Sequence, residues 1–122
     1  MSGEQAASMQ CEGWWEQRGF GRQQMQELQL QFDGESICGS GHDIVGLFTF
    51  LGNIDVQGRV IMVKRYLGQH VVEYIGTYDG EGILQGQWTL PAIDRGHWLI
   101  WIKKSRGRQA TEIAEWLPVK SV

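Results

Sequence analysis

A Gly-x-aromatic triplet recurs at ten-residue spacing in the stretch GTYDGEGILQGQWTLPAIDRGHW, residues 76–98. The five copies in the chain are Gly13/Trp15, Gly46/Phe48, Gly76/Tyr78, Gly86/Trp88 and Gly96/Trp98. The glycine and aromatic contents predict about two such triplets by chance, so the excess indicates a structural requirement.

Residues two apart on a strand share one face, and a glycine there lets the sheet bend while a neighbouring ring fills the space. Ten residues correspond to one strand plus one tight turn, so each meander step adds one triplet to that face. The repeat therefore predicts an antiparallel meander closed into a barrel. An open, twisted sheet packed on a second sheet is the alternative.

Short runs of β-branched and aromatic residues separated by Gly, Asp and Asn are typical of an all-β chain. The segment GRQQMQELQLQF contains good helix formers, but Leu28, Leu30 and Phe32 alternate with glutamines, which favours a strand over a helix. We predict an all-β barrel of eight to nine strands. The strands are predicted at 13–16, 25–32, 35–41, 44–51, 59–67, 70–78, 83–90, 96–103 and 109–117.

A chain of 122 residues is long enough for one buried core. We expect a flexible N-terminal segment at 1–11 and a single barrel domain at 12–122. The N-terminus lacks a basic region followed by an apolar one, so a cytoplasmic location is expected. Cys11 and Cys38 lack metal-ligand spacing and are expected to be free thiols, with a disulfide as the alternative.

Two turn motifs predict which residues face inward. The Asp33-Gly34 dipeptide predicts a two-residue hairpin loop that pairs Leu30 with Ile37. The stretch from Leu67 to His70 predicts another two-residue loop, around Gly68-Gln69, which pairs Arg65 with Val72, Val63 with Tyr74 and Lys64 with Glu73. The opposite charges of the last pair indicate that it lies on the outer face. The predicted inward residues are Leu28, Leu30, Ile37, Phe48, Phe50, Ile61, Val63, Arg65, Val72, Tyr74, Gly76, Tyr78, Leu84, Trp88, Leu90, Trp98 and Ile100.

Several of these triplets resemble those of known barrels. GLF (46–48), GTY (76–78) and GQW (86–88) are similar to the repeated strand pieces of avidin, and Gly13-Trp14-Trp15 is similar to the lipocalin opening. Over roughly residues 12–117 the chain thus resembles the calycins, the up-and-down barrel superfamily that includes both. The resemblance implies a barrel whose lumen or mouth holds a small molecule. The polar residues of avidin's biotin pocket are not matched, so biotin is not implied.

An inward-facing Arg65 suggests a ligand site. An unpaired guanidinium in an apolar lumen needs a bound anion, a solvated position at the mouth, or tyrosine acceptors. The sequence therefore predicts a pocket for a small hydrophobic or anionic ligand. Its predicted binding residues are Arg65, His70, Tyr74, Tyr78, Phe48, Trp88 and Trp98. The alternative is that Arg65 extends into solvent at the rim.

Other polar motifs are interpreted as structural. The CGSGHD stretch with His42 and Asp43 is interpreted as a turn rather than an anion-binding or acid-base loop, and His97 is expected on the outer face. The basic stretch 103–108 and the net charge of -3 do not favour nucleic acid or a membrane as a partner. No catalytic constellation, metal-ligand spacing or cofactor motif is evident, so an enzyme is not expected.

The predicted outer face is rich in apolar residues, which favours a homodimer. The predicted outward residues are Val45, Leu47, Leu51, Val60, Met62, Tyr66, Val71, Ile75, Leu99 and Trp101. Two functions follow from the sequence. The first is a non-enzymatic barrel that binds a small molecule in its lumen. The second is a protein-interaction or assembly module whose lumen is plugged by Trp15, Phe48, Tyr78, Trp88 and Trp98.

Overall fold

The computed structural model describes residues 8–103, which form eight antiparallel strands and no helix. The strands are β1 (Ser8–Gln17), β2 (Gly21–Asp33), β3 (Ser36–His42), β4 (Leu47–Ile54), β5 (Arg59–Tyr66), β6 (Val71–Tyr78), β7 (Ile83–Leu90) and β8 (Asp94–Ile102). The all-β prediction is confirmed, and the segment with helix-forming residues is strand β2. The predicted strand at 109–117 lies outside the described residues. Residues 8–11, predicted to be flexible, belong to β1.

Each strand pairs with the next, and β8 pairs with β1 to close the barrel. Trp15 lies opposite Trp98 and Gly13 opposite Ile100 in this closing pair. The predicted closed meander is therefore confirmed, and the open-sheet alternative is wrong.

The glycines of the triplets permit close contact between neighbouring strands. Gly76 on β6 lies directly opposite Gly86 on β7, and a Cβ atom on Gly76 would overlap the Gln85 carbonyl oxygen. A Cβ atom on Gly96 would lie 2.7 Å from Nε1 of Trp88, the residue opposite it on β7. The ring of one triplet thus occupies the space above the glycine of the next.

The β2–β3 hairpin keeps its predicted faces with a different register. Its loop is Gly34-Glu35, so Asp33 pairs with Ser36 and Leu30 pairs with Gly39. Gly34 has a φ of 64°, which suits glycine in such a turn. Because the shift is two residues, Leu30 and Ile37 still point inward and are fully buried.

The predicted register of the β5–β6 hairpin is wrong by one residue. The loop has three residues rather than two, and the Gln69 amide donates to the Tyr66 carbonyl with Gly68 at a φ of 72°. Arg65 consequently pairs with Val71, and Lys64 pairs with Val72 rather than Glu73.

This shift exchanges the two faces of β5, since neighbouring residues of a strand point to opposite sides. The inward residues are Val60, Met62, Lys64 and Tyr66, all buried. The predicted inward residues Ile61, Val63 and Arg65 instead lie on the outer face. The rest of the predicted inner face is right for the fully buried Leu28, Leu30, Ile37, Phe48, Phe50, Leu84, Trp98 and Ile100.

Candidate functional site

The barrel interior holds one buried carboxylate, that of Asp43, among the described residues. Asp43 begins the tight loop between β3 and β4, where its amide donates to the Gly46 carbonyl and its carbonyl accepts from the Gly46 amide. Its Oδ1 also accepts a bond from the Val45 amide at 2.9 Å. The short loop thereby turns the Asp43 side chain into the barrel, and none of that side chain is exposed.

Three side chains donate to the other oxygen of Asp43. Oδ2 accepts bonds from Lys64 Nζ at 2.8 Å, Tyr66 Oη at 2.8 Å and Trp15 Nε1 at 3.0 Å. The donors come from β1 and β5, so one carboxylate connects two strands to the β3–β4 loop. We call this group, together with Tyr74, the Asp43 cluster.

The Lys64 ammonium is enclosed by rings. It donates to Tyr74 Oη at 3.2 Å as well as to Asp43. Its Nζ lies 4.2 Å from the centre of the Phe48 ring and 4.8 Å from that of Tyr66. Aromatic faces attract a cation, and the attraction is stronger where water is excluded. The charge of Lys64 is thus compensated from inside the barrel.

Burial and pairing act in opposite directions on this ion pair. Burial lowers the pKa of Lys64 to about 8, although Asp43 partly offsets the effect. Burial alone would raise the pKa of Asp43, but the Lys64 charge and the hydrogen bonds of the cluster outweigh it and hold the pKa below its ordinary value. Burial also raises the pKa of Tyr66 and of Tyr74, so both hydroxyls stay neutral, that of Tyr66 as a donor to Asp43 and that of Tyr74 as an acceptor from Lys64.

The Asp43 cluster is suited to holding the barrel together rather than to chemistry on a substrate. A general acid or base must come within hydrogen-bond distance of its substrate. The side chains of Lys64 and Asp43 are 1% and 0% exposed, and each is bonded within the cluster. The cluster therefore acts as a polar plug near one end of the lumen.

The structure does not bring all the predicted ligand-binding residues together. Phe48, Tyr74, Trp88 and Trp98 are buried in the interior. Arg65 is exposed on the outer face, so its predicted inward orientation is wrong.

Two further predicted ligand-binding residues lie apart from these rings. His70 is exposed in the β5–β6 loop, with its ring centre 5.4 Å from that of Tyr66. Tyr78 is half-buried and stacks on Phe32 at 5.9 Å. The charged end of the predicted pocket is therefore not assembled.

The sequence patterns do not reveal the roles of Asp43 and Lys64. The predicted turn at Asp43 is correct for its backbone, whereas the predicted β5–β6 register is wrong and places Lys64 on the outer face. The available signal was the spacing of β5. Val60, Met62, Lys64 and Tyr66 are two residues apart from one another, so they share one face, and two of them are apolar. An inward lysine requires an inward acid, which would have directed attention to Asp43.

One buried polar atom has no hydrogen-bond partner among the described residues, the Nε1 of Trp98. Trp98 is 1% exposed, and its ring lies 5.1 Å from that of Tyr74. A buried donor without an acceptor costs free energy, so this atom could receive an acceptor from water or a ligand.

Within residues 8–103, no group of three His, Cys, Asp or Glu side chains is placed to hold a metal ion. The same residues include no helix that could cross a membrane. Cys11 and Cys38 are free thiols, so the predicted free state is confirmed over the disulfide. His97 is exposed on the outer face as predicted.

Comparison of the chain with protein-family models, curated proteins and solved structures finds no match.

Proposed function

We propose that this protein is a non-enzymatic protein-interaction module whose β-barrel is a plugged scaffold. The observation that carries the proposal is the filled interior. The largest fully buried side chains are Trp98, Tyr74, Phe48, Phe50, Lys64, Leu28, Leu30, Ile37, Met62, Leu84, Ile100 and Val60. Protein interiors are close-packed, so side chains of this size occupy most of the lumen. An open pocket of about 930 Å³ is lined by the core residues Cys11, Met25, Leu28 and Phe48 together with polar residues of β1 and β2.

The charges of the interior support the same proposal. A pocket for an anionic ligand would need a cation that the protein itself does not neutralise. The inward cation is Lys64, and it is already paired with Asp43 and bonded to Tyr74. An anion entering there would have to displace a buried carboxylate that accepts bonds from three side chains.

The outer wall offers an interaction surface on strands β4 to β6. Ile61 lies opposite Ile75, and Leu51 lies opposite Val63. Leu51, Ile61 and Ile75 are exposed, and Val63 is half-buried. These four residues, here called the wall patch, form two adjacent apolar cross-strand pairs. Contiguous apolar surface of this kind marks contact sites in soluble proteins.

The occupant of the wall patch that we propose is a second copy of the chain. A two-fold contact would bring the wall patch of one copy against that of the other. Glu73, which lies opposite Val63, and Arg65, which lies opposite Val71, share this face. For a stable contact, each copy would need to bury on the order of 800 Å² of its accessible surface. Of the outward residues predicted from sequence, Val60, Met62 and Tyr66 lie in the interior, whereas Leu47, Leu51, Val71 and Ile75 are exposed.

Sedimentation velocity tests the proposal. The unmodified protein is expected to be a dimer, and Ile61→Glu is expected to make it a folded monomer because it places a charge at the centre of the patch. The matched control is Val56→Glu, which adds the same charge at a side chain that is 90% exposed in the β4–β5 loop. A monomeric unmodified protein, or equal dissociation of both variants, would count against the wall patch.

A second candidate function, binding of a small molecule in the lumen, is favoured by Trp98. Its Nε1 is a buried donor without an acceptor, among rings that the resemblance to calycins associates with ligands. A ligand with a small acceptor group could satisfy it. A thermal-shift screen and native mass spectrometry with fatty acids, aromatic carboxylates and haem would detect such binding. If none of these compounds binds, the small-molecule function is rejected and the interaction module is retained.

Two further expectations accompany the proposal. The eight-stranded meander supports a relationship with the calycin barrels. Sequence relatives shared by this chain and a calycin would establish that relationship. Free Cys11 and Cys38 support a reducing compartment such as the cytoplasm, since thiols persist there. Fractionation of cells that express the tagged protein tests the location.

A further inference from the structure

Four loops meet at one end of the barrel. In an antiparallel meander every second loop lies at the same end, so the β1–β2, β3–β4, β5–β6 and β7–β8 loops form what we call the loop end. Each of these loops exposes one large apolar side chain. They are Phe20, Ile44, Leu67 and Ile93. Apolar side chains at four neighbouring loop tips indicate a surface that leaves water when it binds.

An open pocket of about 490 Å³ lies at the loop end, between the β1–β2 loop and the start of β8. The charged residues lining it are Glu16, Arg18, Arg22 and Arg95, and His97 lies beside them. Arg22 donates two bonds to Glu16, and the nearby Asp94 accepts one from Gln17. Three guanidinium groups against two carboxylates leave this arginine pocket with a net positive charge. Guanidinium groups bind phosphate oxygens in pairs, which suits a phosphate ligand.

Apolar tips flank the arginine pocket on both sides. Phe20 lies between the pocket residues Gly19 and Gly21, and Ile93 lies in the loop just before β8. Phe20 is 50% exposed and stacks on Trp15 at 6.2 Å, so its ring is held at the rim. Ile93 is 74% exposed. The arginine pocket and the apolar tips therefore lie at the same end of the barrel.

The opposite end of the barrel has the opposite character. Its loops and the strand ends beside them carry Asp33, Glu35, Asp55, Asp79 and Glu81 against Arg59 and Lys103. The net charge of the whole chain does not show this separation, which explains why composition did not favour an anionic membrane. The field of such a charge distribution would orient the loop end toward an anionic surface.

We propose that the loop end docks on an anionic phospholipid surface. Headgroup phosphates would occupy the arginine pocket, while Phe20 and Ile93 would enter the boundary between headgroups and acyl chains. The four apolar tips stand on separate loops, and a fluid interface admits each of them without a matching cavity. A protein partner would need a complementary pocket for every tip, so the arrangement favours lipid. This site is independent of the wall patch.

Co-sedimentation of the full chain with vesicles tests the proposal. We expect binding to mixed phosphatidylserine–phosphatidylcholine vesicles, weaker binding as salt rises, and none to phosphatidylcholine alone. An arginine near an anionic surface contributes about 1 kcal/mol, so Arg18→Gln and Arg95→Gln should each weaken the partition coefficient about fivefold. The double variant Phe20→Ser with Ile93→Ser should lower the partition coefficient more than either arginine substitution does.

The matched control is Val56→Ser, which removes an exposed apolar tip at the opposite end and should leave vesicle binding unchanged. Circular dichroism and thermal unfolding of each variant check that the barrel is intact. Titration with inorganic phosphate distinguishes a free anion site from a membrane site. The proposal is overturned if phosphate binds and vesicles do not, if Val56→Ser weakens binding as much as the loop-end variants, or if loop-end variants change only self-association.

Discussion

The Nζ atom of Lys64 lies 2.8 Å from Oδ2 of Asp43, and neither side chain is more than 1% exposed. This contact connects β5 to the loop that precedes β4. Two buried charges are costly to remove from water, and their attraction repays that cost only when the remaining donors and acceptors are also bonded. Tyr66, Trp15 and the Val45 amide complete the bonding of the carboxylate.

Removal of one member of this pair should be more damaging than removal of both. Lys64→Met leaves the Asp43 carboxylate buried without its cation, and we expect it to lower the free energy of unfolding by about 3–5 kcal/mol. The double variant Lys64→Met with Asp43→Leu should recover part of this loss, because no buried charge remains but Trp15 and Tyr66 lose their acceptor. Urea denaturation followed by tryptophan fluorescence measures both.

The control for that comparison is the exposed pair of Arg59 and Asp55, which are 2.9 Å apart. Arg59→Gln should cost less than about 1 kcal/mol, since exposed ion pairs contribute little. If Lys64→Met costs no more than Arg59→Gln, the Asp43 cluster does not stabilise the barrel in the way described here.

The pH dependence of the free energy of unfolding should report the lowered pKa of Asp43. Its pKa is held below the ordinary value of 3.8 in the folded protein, so the unfolded chain takes up the proton first as the pH falls. The stabilisation is complete above the ordinary pKa and is lost as the pH falls through the folded value. The free energy of unfolding of the unmodified protein should therefore fall more steeply below about pH 4 than that of Asp43→Asn. Parallel curves would contradict this assignment.

How far the sequence predicts this structure depends on what each motif encodes. The period of ten residues and the paired glycines encode strands and closure, because both follow from local geometry. The face of β5 depended on whether one loop has two or three residues. Gly68 is compatible with either loop, so its identity does not settle the register. The Asp43 cluster could not be placed from sequence because its members meet only after that register is known.

The glycine pair between β6 and β7 should be intolerant of a side chain. A Cβ atom on Gly86 would overlap the carbonyl oxygen of Ile75, which is backbone and cannot move aside without separating the strands. Gly86→Ala should therefore destabilise the barrel by about 1–3 kcal/mol, the usual cost of overpacking. Gln87→Ala, on the exposed face of the same strand, should change stability by less than about 0.5 kcal/mol. Thermal unfolding of the two variants checks the difference.

The two cysteines should differ sharply in reactivity. Cys38 is exposed on β3, whereas Cys11 is buried and its pKa is raised to about 12 by that burial, with the Leu30 backbone and Lys103 acting weakly in the other direction. The thiolate is the reactive form, so at neutral pH a disulfide reagent should label one thiol per native chain and two in denaturant. Cys38→Ser should abolish the fast labelling, and Cys11→Ser should retain it. Fast labelling that survives Cys38→Ser would show that a reagent reaches Cys11 in the folded protein, either through the open pocket that Cys11 lines or because β1 separates from β2 and β8.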